Sequence, residues 1–212
     1  MDDMVTYDRY IRNLAGRMKK QDWWSFIADK NKGKELVESL GVPAPRTFEL
    51  PFDAVIKPKR SHSAKNIFIF DEHEKWVAEE LLRDEDGGEL IRDFRWYFFG
   101  DQARMVHVSR VGTDPKTSGY YTWPDWKGVE IDSKRPWLEC EAPTCVKEMH
   151  DYAQRIARQF PVPIRVDMYA TTRGPVFGEL CVSPGLVVGK RLTEAGNDML
   201  SGWLAEYLND QS

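Results

Sequence analysis

The feature that most constrains the fold is a strand–turn–strand pattern near the C-terminus, in which charged side chains alternate with apolar ones. Its spacing predicts one strand at residues 164–170 and a return strand at 176–182, joined by a turn that contains glycine and proline. Successive side chains of a strand point to opposite faces, so Arg165 and Asp167 share one face. With the register that this turn favours, Glu179 of the return strand lies beside Asp167.

Two carboxylates next to a guanidinium, with apolar neighbours, are costly to bury unless something pairs with them. A hard cation such as Mg²⁺ suits this arrangement, because it takes one or two carboxylates and completes its octahedron with phosphate oxygens and water. Arg165 would then face a phosphate tail. The same spacing also allows an ion pair between Arg165 and Asp167 along one strand, with Glu179 on a solvated face. The residues alone leave both interpretations open.

A second segment combines a short apolar strand with a basic loop. The strand is predicted at residues 52–58 and carries Lys57 near its end. The loop that follows carries cations and hydroxyls, which suit nucleotide phosphates: Lys59, Ser61, Ser63 and Lys65. The Walker pattern G-x-x-x-x-G-K-[ST] is absent. An ordinary solvated basic loop is the alternative.

A third segment, at residues 78–82, places acceptors beside apolar side chains. It could line an adenine, or it could be the end of an amphipathic helix. Its candidate contacts are Glu79, Glu80, Leu81 and Leu82.

The rest of the chain mixes helices and strands. Apolar periodicity predicts helices within residues 4–40, at 144–160 and at 194–208. Residues 93–111 are predicted to form a hairpin around Gly100 and Asp101, and the aperiodic stretch 112–143 a long loop. Strands and helices in mixed order indicate an α+β fold.

Composition excludes several classes of protein. A length of 212 residues allows one large domain or two small subdomains, and a formal net charge of -4 does not indicate a nucleic-acid partner. The cysteines Cys140, Cys145 and Cys181 have no paired spacing, which argues against a disulfide framework. The polar N-terminus and the lack of a run of ~18 apolar residues predict a cytoplasmic protein without a membrane partner.

Taken in order, these segments resemble the ATP-grasp superfamily, and in particular its TupA-like branch of teichuronopeptide biosynthesis. The resemblance extends from about Ala28 to Gly185. It is carried by a series of short motifs: Leu40-Gly-Val-Pro-Ala-Pro45, Val55-Ile-Lys57-Pro58, Glu79-Glu-Leu-Leu82, Asp93-Phe-Arg-Trp-Tyr-Phe-Phe-Gly100, Arg165-Val-Asp-Met-Tyr169, Phe177-Gly-Glu-Leu180 and Ser183-Pro-Gly185.

The resemblance implies two α+β subdomains with a nucleotide bound between them. Residues 1–50 would be a helical N-terminal segment with a reduced pre-ATP region. Residues 51–82 would form the small subdomain, with the lysine strand and the phosphate loop. Residues 83–212 would form the large subdomain, with a metal-binding hairpin at 164–182.

The resemblance also implies roles for the candidate residues, with ATP and Mg²⁺ as cofactors. Lys57 would contact the α- and β-phosphates, and the loop 59–66 would cover them. The backbone from Glu80 to Leu82 would hold adenine, Asp93 would contact ribose, and Arg95 stands where the branch has lysine. Asp167 and Glu179 would hold Mg²⁺. Arg165 and Lys57 would be the catalytic cations.

The implied activity is an ATP-dependent carboxylate–amine ligase that forms an amide or peptide bond through an acyl phosphate. Its partners would be small or polymeric carboxylates and amines, with a partner protein or a second copy supplying what the reduced pre-ATP region lacks. A kinase acting on a sugar-like hydroxyl is one alternative. A non-catalytic nucleotide-binding scaffold is another, because Cys181 stands where many members have asparagine, and a neutral thiol is a poor Mg²⁺ ligand.

Overall fold

A computed structural model describes residues 6–48, 54–58, 76–88, 90–110, 116–182 and 191–211. It contains five helices in these ranges: α1 (Tyr7–Arg17), α2 (Trp24–Ala28), α3 (Lys30–Ser39), α4 (Val146–Ala157) and α5 (Glu194–Asp210), with a 3-10 turn at Met18–Lys20. Eight strands accompany them: β1 (Thr47–Phe48), β2 (Ala54–Pro58), β3 (Trp76–Glu80), β4 (Arg92–Phe99), β5 (Gln102–Arg110), β6 (Gly119–Thr122), β7 (Ile164–Thr171) and β8 (Gly174–Cys181). The α+β fold is confirmed.

The strands form two antiparallel sheets. The smaller has the order β1-β3-β2, and the larger has the order β6-β5-β4-β7-β8. Both predicted hairpins are present in the larger sheet, and Gly100 turns the first of them with a φ of +65°, a conformation that glycine adopts without strain.

One face of the larger sheet is apolar and packs against α4. Its helix stripe consists of Met149, Ala153, Ile156 and Ala157, all fully buried. Alternate side chains of the strands meet this stripe: Phe94, Trp96, Phe98, Val106, Val108, Val166, Met168 and Leu180. This is the main core, and burial of each such side chain contributes about 1.5–3 kcal/mol.

The opposite face has two parts. Near the end of β4, α1 and α5 cover it with a second apolar cluster in which Tyr7 and Ile11 meet Tyr97, Phe99 and residues of α5. Further along, the same face carries charged and polar side chains from β4, β5, β7 and β8. We call this polar part the site face.

Two β-bulges decide which side chains reach the site face. Between Tyr97 and Phe98 the register of β4 with β5 shifts by one residue, with Arg104 as the extra residue. Between Asp167 and Met168 the register of β7 with β8 shifts in the same way, with Gly178 as the extra residue.

The two sheets are joined by residues 81–83 and by polar contacts. Glu80, the last residue of β3, forms an ion pair with Arg173 in the β7–β8 turn. Glu80 also accepts a hydrogen bond from the backbone N–H of Arg46, and Asp84 bridges to Thr171 at the end of β7.

Two predictions of local structure need correction. Residues 78–80 end a strand and not a helix, because β3 pairs with β1 on one side and β2 on the other. The predicted loop 112–143 contains β6, which adds a fifth strand to the larger sheet.

Of the helices in the described part of the chain, none combines the length and apolar composition needed to cross a bilayer. The proposed division into subdomains stays a prediction.

Candidate functional site

A single row of directly paired residues crosses the whole larger sheet on the site face. From β6 to β8 it reads Tyr120, His107, Arg95, Asp167 and Glu179, each opposite the next on the neighbouring strand. The predicted proximity of Asp167 and Glu179 is therefore confirmed. The neighbouring strands of a sheet lie about 4.8 Å apart, so successive residues of this row, which differ in chemistry, are spaced by about that distance.

Asp167 is held by two arginines. Arg165 Nε and Nη2 each donate to one of its carboxylate oxygens at 2.6 Å, and Arg95 Nε lies 3.5 Å from Asp167 Oδ2. The Asp167 side chain is only 4% exposed. The intrastrand ion pair considered for Arg165 and Asp167 is thus present, and it fixes the carboxylate in one orientation beside Glu179.

Burial governs the ionisation of this carboxyl group. It raises the pKa of Asp167 to about 7, although the charge of Arg165 acts in the opposite direction. The pKa of the neighbouring Tyr169 phenol is raised by its own burial and by the charges of four carboxylates: Asp93, Asp167, Glu179 and Glu79. Several carboxylates therefore act on the same part of the site face, which a bound cation would suit.

The donor set fits Mg²⁺ that arrives with a nucleotide. Within the described ranges, no three His, Cys, Asp or Glu side chains converge closely enough to hold a metal ion. Asp167 and Glu179 supply two hard oxygen donors, and Mg²⁺ takes its remaining ligands from phosphates and water. These two residues suit a Mg·nucleotide complex better than a bare metal ion.

Asp93 has one oxygen in use and one oxygen left over. Its Oδ2 accepts from Arg95, whose Nη2 lies 2.6 Å away, while its Oδ1 is buried and has no hydrogen-bond partner in the described part of the protein. A buried acceptor without a donor is unfavourable by about 1–3 kcal/mol. The predicted ribose hydroxyl would supply that donor.

His107 lies in the row between Tyr120 and Arg95 and was not singled out by sequence spacing. Because arginine can only donate, His107 Nδ1 accepts from Arg95 Nη1 at 3.4 Å, and its Nε2 then donates to Ser118 Oγ at 3.1 Å. Burial lowers the pKa of His107 well below its usual value, and the charges of Arg95, Arg165, Arg135 and Arg191 lower it further. The imidazole is held neutral.

The predicted adenine segment, residues 79–82, ends β3 and begins the connection between the two sheets. Glu79 and Glu80 belong to β3, while Leu81 follows the strand and is 51% exposed. Since Glu80 is bound to Arg173, its carboxylate anchors the two sheets to each other. The backbone of Leu81 and Leu82 occupies the position predicted for the adenine contact, which stays a prediction.

The predicted phosphate-binding residues are only partly within the described ranges. The backbone of Lys57 lies in β2, opposite Val77. Four predicted residues lie outside the described ranges: Lys59, Ser61, Ser63 and Lys65. Their assignment to the phosphates stays a prediction.

Comparison with known proteins identifies the family. The model of the family described as TupA-like ATPgrasp matches residues 55–204. Among solved structures, D-alanine–D-alanine ligase from Bacillus anthracis complexed with ATP is 15% identical with a TM-score of 0.56, over 87% of this chain and 65% of that chain. The ATP-grasp ligase PsnB complexed with a minimal precursor is 16% identical with a TM-score of 0.51, over 85% of this chain and 61% of that chain.

At these identities the solved structures show a shared fold, and the chain spans less than two thirds of the length of each. Among curated proteins, none matches the chain. The family model covers well over half of the residues, including the row on the site face and both hairpins that carry it. The chain therefore belongs to the TupA-like ATP-grasp family.

Proposed function

We propose that the protein is an ATP-dependent carboxylate–amine ligase that forms an amide or peptide bond through an acyl phosphate. The observation that carries this proposal is the direct pairing of Asp167 with Glu179 on the site face of an ATP-grasp sheet. Two proteins with a similar fold are ligases, and one of them was solved with ATP bound.

Two residues of the row and two residues beside it have tasks in this proposal. Asp167 and Glu179 would hold Mg²⁺, which neutralises charge on the phosphates when it is bound. Arg165 orients Asp167 through two hydrogen bonds and keeps a cation beside the metal position. Asp93 presents its unpartnered Oδ1 to a ribose hydroxyl.

The electrostatics of the site fit phosphoryl transfer. Little covalent chemistry is required of the protein in that reaction, and catalysis comes mainly from positioning and from neutralising the growing charge. Arg165 and Arg95 provide fixed cations close to the two carboxylates, and Lys57 would provide a third from the smaller sheet. Since these arginines are already ordered by ion pairs, little reorganisation is required during reaction.

The test is release of ADP and phosphate by the purified full chain, measured across panels of carboxylates and amines. We expect turnover that requires one carboxylate and one amine together, with an amide as product. Asp167→Asn and Glu179→Gln should each lower this turnover by about a hundredfold or more. Lys147→Gln, which changes an exposed residue of α4, is the control and should leave it unchanged.

The same assay separates the alternatives. A kinase would leave the phosphate on a hydroxyl acceptor, and mass spectrometry of the product would show it. A scaffold protein would bind nucleotide in calorimetry without turnover on any substrate pair. Turnover that survives both carboxylate substitutions would contradict the proposed site.

A further inference from the structure

A second group of cations lies beyond His107, at the β5–β6 edge of the site face. Arg135 Nη1 donates to Ser118 Oγ at 3.2 Å, and the same oxygen accepts from His107 Nε2. Arg191 Nη1 lies 3.1 Å from Asp132 Oδ2. We call these residues the edge cluster: Ser118, Asp132, Arg135 and Arg191.

The charges of the edge cluster do not balance. Within the described ranges, Arg95 pairs with Asp93, Arg165 with Asp167 and Arg191 with Asp132, while Arg135 forms no ion pair. Asp132 is shared, because its oxygens also accept from the Tyr120 hydroxyl and the Lys134 backbone N–H. Among the described residues, one cationic charge at this edge therefore lacks a counter-ion.

Two further observations indicate that this edge can bind an anion. Arg191 Nη1 is buried and donates no hydrogen bond to any described residue, despite lying near Asp132. The pKa of the Arg135 guanidinium is lowered by burial and by the charge of Arg191, so these two cations destabilise each other. A bound carboxylate would accept hydrogen bonds from both and would relieve the repulsion.

The position of the edge cluster separates it from the nucleotide site. The connecting segment at residues 81–83 and the Asp167–Glu179 pair lie on the β7–β8 side of the sheet. His107 lies on β5, two strands away from Asp167 on β7, a separation of roughly 10 Å across a sheet. Arg135 contacts Ser118, which lies on the side of His107 away from Asp167. An anion at Arg135 is therefore a different group from one held at Asp167.

We propose that Arg135, Arg191 and Ser118 bind a second carboxylate of the substrate, so that the protein acts on a dicarboxylate. One carboxylate is activated near Asp167, and the other is anchored at the edge cluster. This inference rests on the proposed function for its description of the first carboxylate. The anchoring site itself stands on the charge imbalance and the hydrogen-bond geometry.

The first test is direct binding of glutarate, butyrate and inorganic phosphate to the full chain by calorimetry. We expect glutarate to bind at least about tenfold more tightly than butyrate. Arg135→Gln should abolish that preference, while Arg135→Lys should restore part of it because a cation returns. Asp167→Asn should leave the preference for glutarate in place, and Lys147→Gln in α4, the control, should change neither affinity. Equal binding of glutarate and butyrate to the unmodified protein would overturn the inference.

The second test uses turnover and nucleotide binding. For Arg135→Gln we expect the KM for a dicarboxylate to rise by about tenfold or more, with little change in kcat and an unchanged Kd for Mg·ADP. Loss of Mg·ADP affinity would instead assign Arg135 to a nucleotide phosphate. Stronger binding of phosphate than of glutarate would assign the edge cluster to a phosphorylated group. Either result overturns the dicarboxylate inference and leaves the ligase proposal standing.

If no carboxylate supports turnover, the ligase proposal fails, and the binding arm still decides whether the edge cluster takes a carboxylate. The two proposals can therefore fail separately.

Discussion

At the scale of single residues, the site face depends on side chains whose charge state is set by burial. His107 stays neutral among four arginines because protonation would add a fifth cation to a dry environment. Its neutral ring stacks on Tyr120 with the ring centroids 4.3 Å apart, and it connects Arg95 to Ser118. The neutral imidazole therefore positions Arg95 relative to Ser118, and it does not act as a proton carrier near neutral pH.

A stability measurement can check this. The unfolded chain protonates His107 near its usual pKa of 6.5, while the folded protein does not. The unfolded state therefore binds more protons as the pH falls, and His107 lowers the free energy of unfolding by up to about 1.4 kcal/mol per pH unit below that value. His107→Gln retains one acceptor and one donor but has no titrating group, so it should remove that part of the pH dependence. Urea unfolding from about pH 7.5 to about pH 5.5 measures it, and equal slopes for both proteins would contradict it.

Asp93 gives a second prediction at this scale. If its unpartnered Oδ1 accepts from ribose, ADP should bind about tenfold more tightly than 2′,3′-dideoxy-ADP. In Asp93→Asn this preference should fall to about threefold, because hydrogen bonds to a charged acceptor are about twice as strong. Calorimetry can measure the Kd of each ligand for each protein, and these values together complete a thermodynamic cycle. An unchanged preference in the variant would show that Asp93 does not contact the ribose.

At the scale of elements, the two hairpins were predicted at the correct places, but their bulges were not. If the strand pairing set by the turn at Gly100 continued without a bulge, Arg95 would lie opposite Val106, and His107 would lie on the apolar face. The extra residue at Arg104 changes that pairing to His107. A one-residue shift exchanges the faces of a strand, and local propensity does not encode it. This is why sequence spacing missed His107.

The second bulge can be tested by substitution. A Cβ on Gly178 would lie 3.0 Å from the Tyr169 ring and 3.1 Å from the Asp167 carbonyl oxygen. Gly178→Ala should therefore shift the pairing of Asp167 with Glu179, destabilise the fold by about 1–3 kcal/mol and weaken Mg·nucleotide binding.

Gly202→Ala in α5 is the matched control, because a Cβ there would meet nothing within 4 Å. It should stabilise the helix by up to about 1 kcal/mol and leave nucleotide binding unchanged. Urea unfolding and calorimetry measure both effects. Similar behaviour of the two variants would mean that the bulge at Gly178 does not control the site.

At the scale of the whole molecule, the two ends of the described chain meet on one face of the sheet. The backbone N–H of Tyr7 in α1 donates to Ser201 Oγ in α5 at 2.9 Å, across 194 residues of sequence. Together these helices cover the apolar part of the face that carries the site. The position of the site face therefore depends on contacts that form only when the chain is folded as a unit.

A substitution in α1 tests this dependence. Ile11 is 1% exposed and belongs to the cluster between α1, α5 and the sheet. Ile11→Ala should lower the free energy of unfolding by about 2–4 kcal/mol, whereas Asn13→Ala, an exposed position of the same helix, should change it by less than about 0.5 kcal/mol. Tryptophan fluorescence and circular dichroism should report one coincident transition. Separate transitions would show that α1 and α5 unfold independently of the main core.

The sequence by itself determined the α+β class, both hairpins, the helices α1, α3, α4 and α5, and the carboxylate pair at Asp167 and Glu179. These follow from apolar periodicity, turn residues and strand alternation, which act over a few neighbouring residues. Only the tertiary structure decided that Arg95 and His107 join that pair in one row, and that Arg135 and Arg191 gather at its end. The physical reason is that bulges, cross-strand order and the packing of distant segments depend on contacts between residues far apart in the chain.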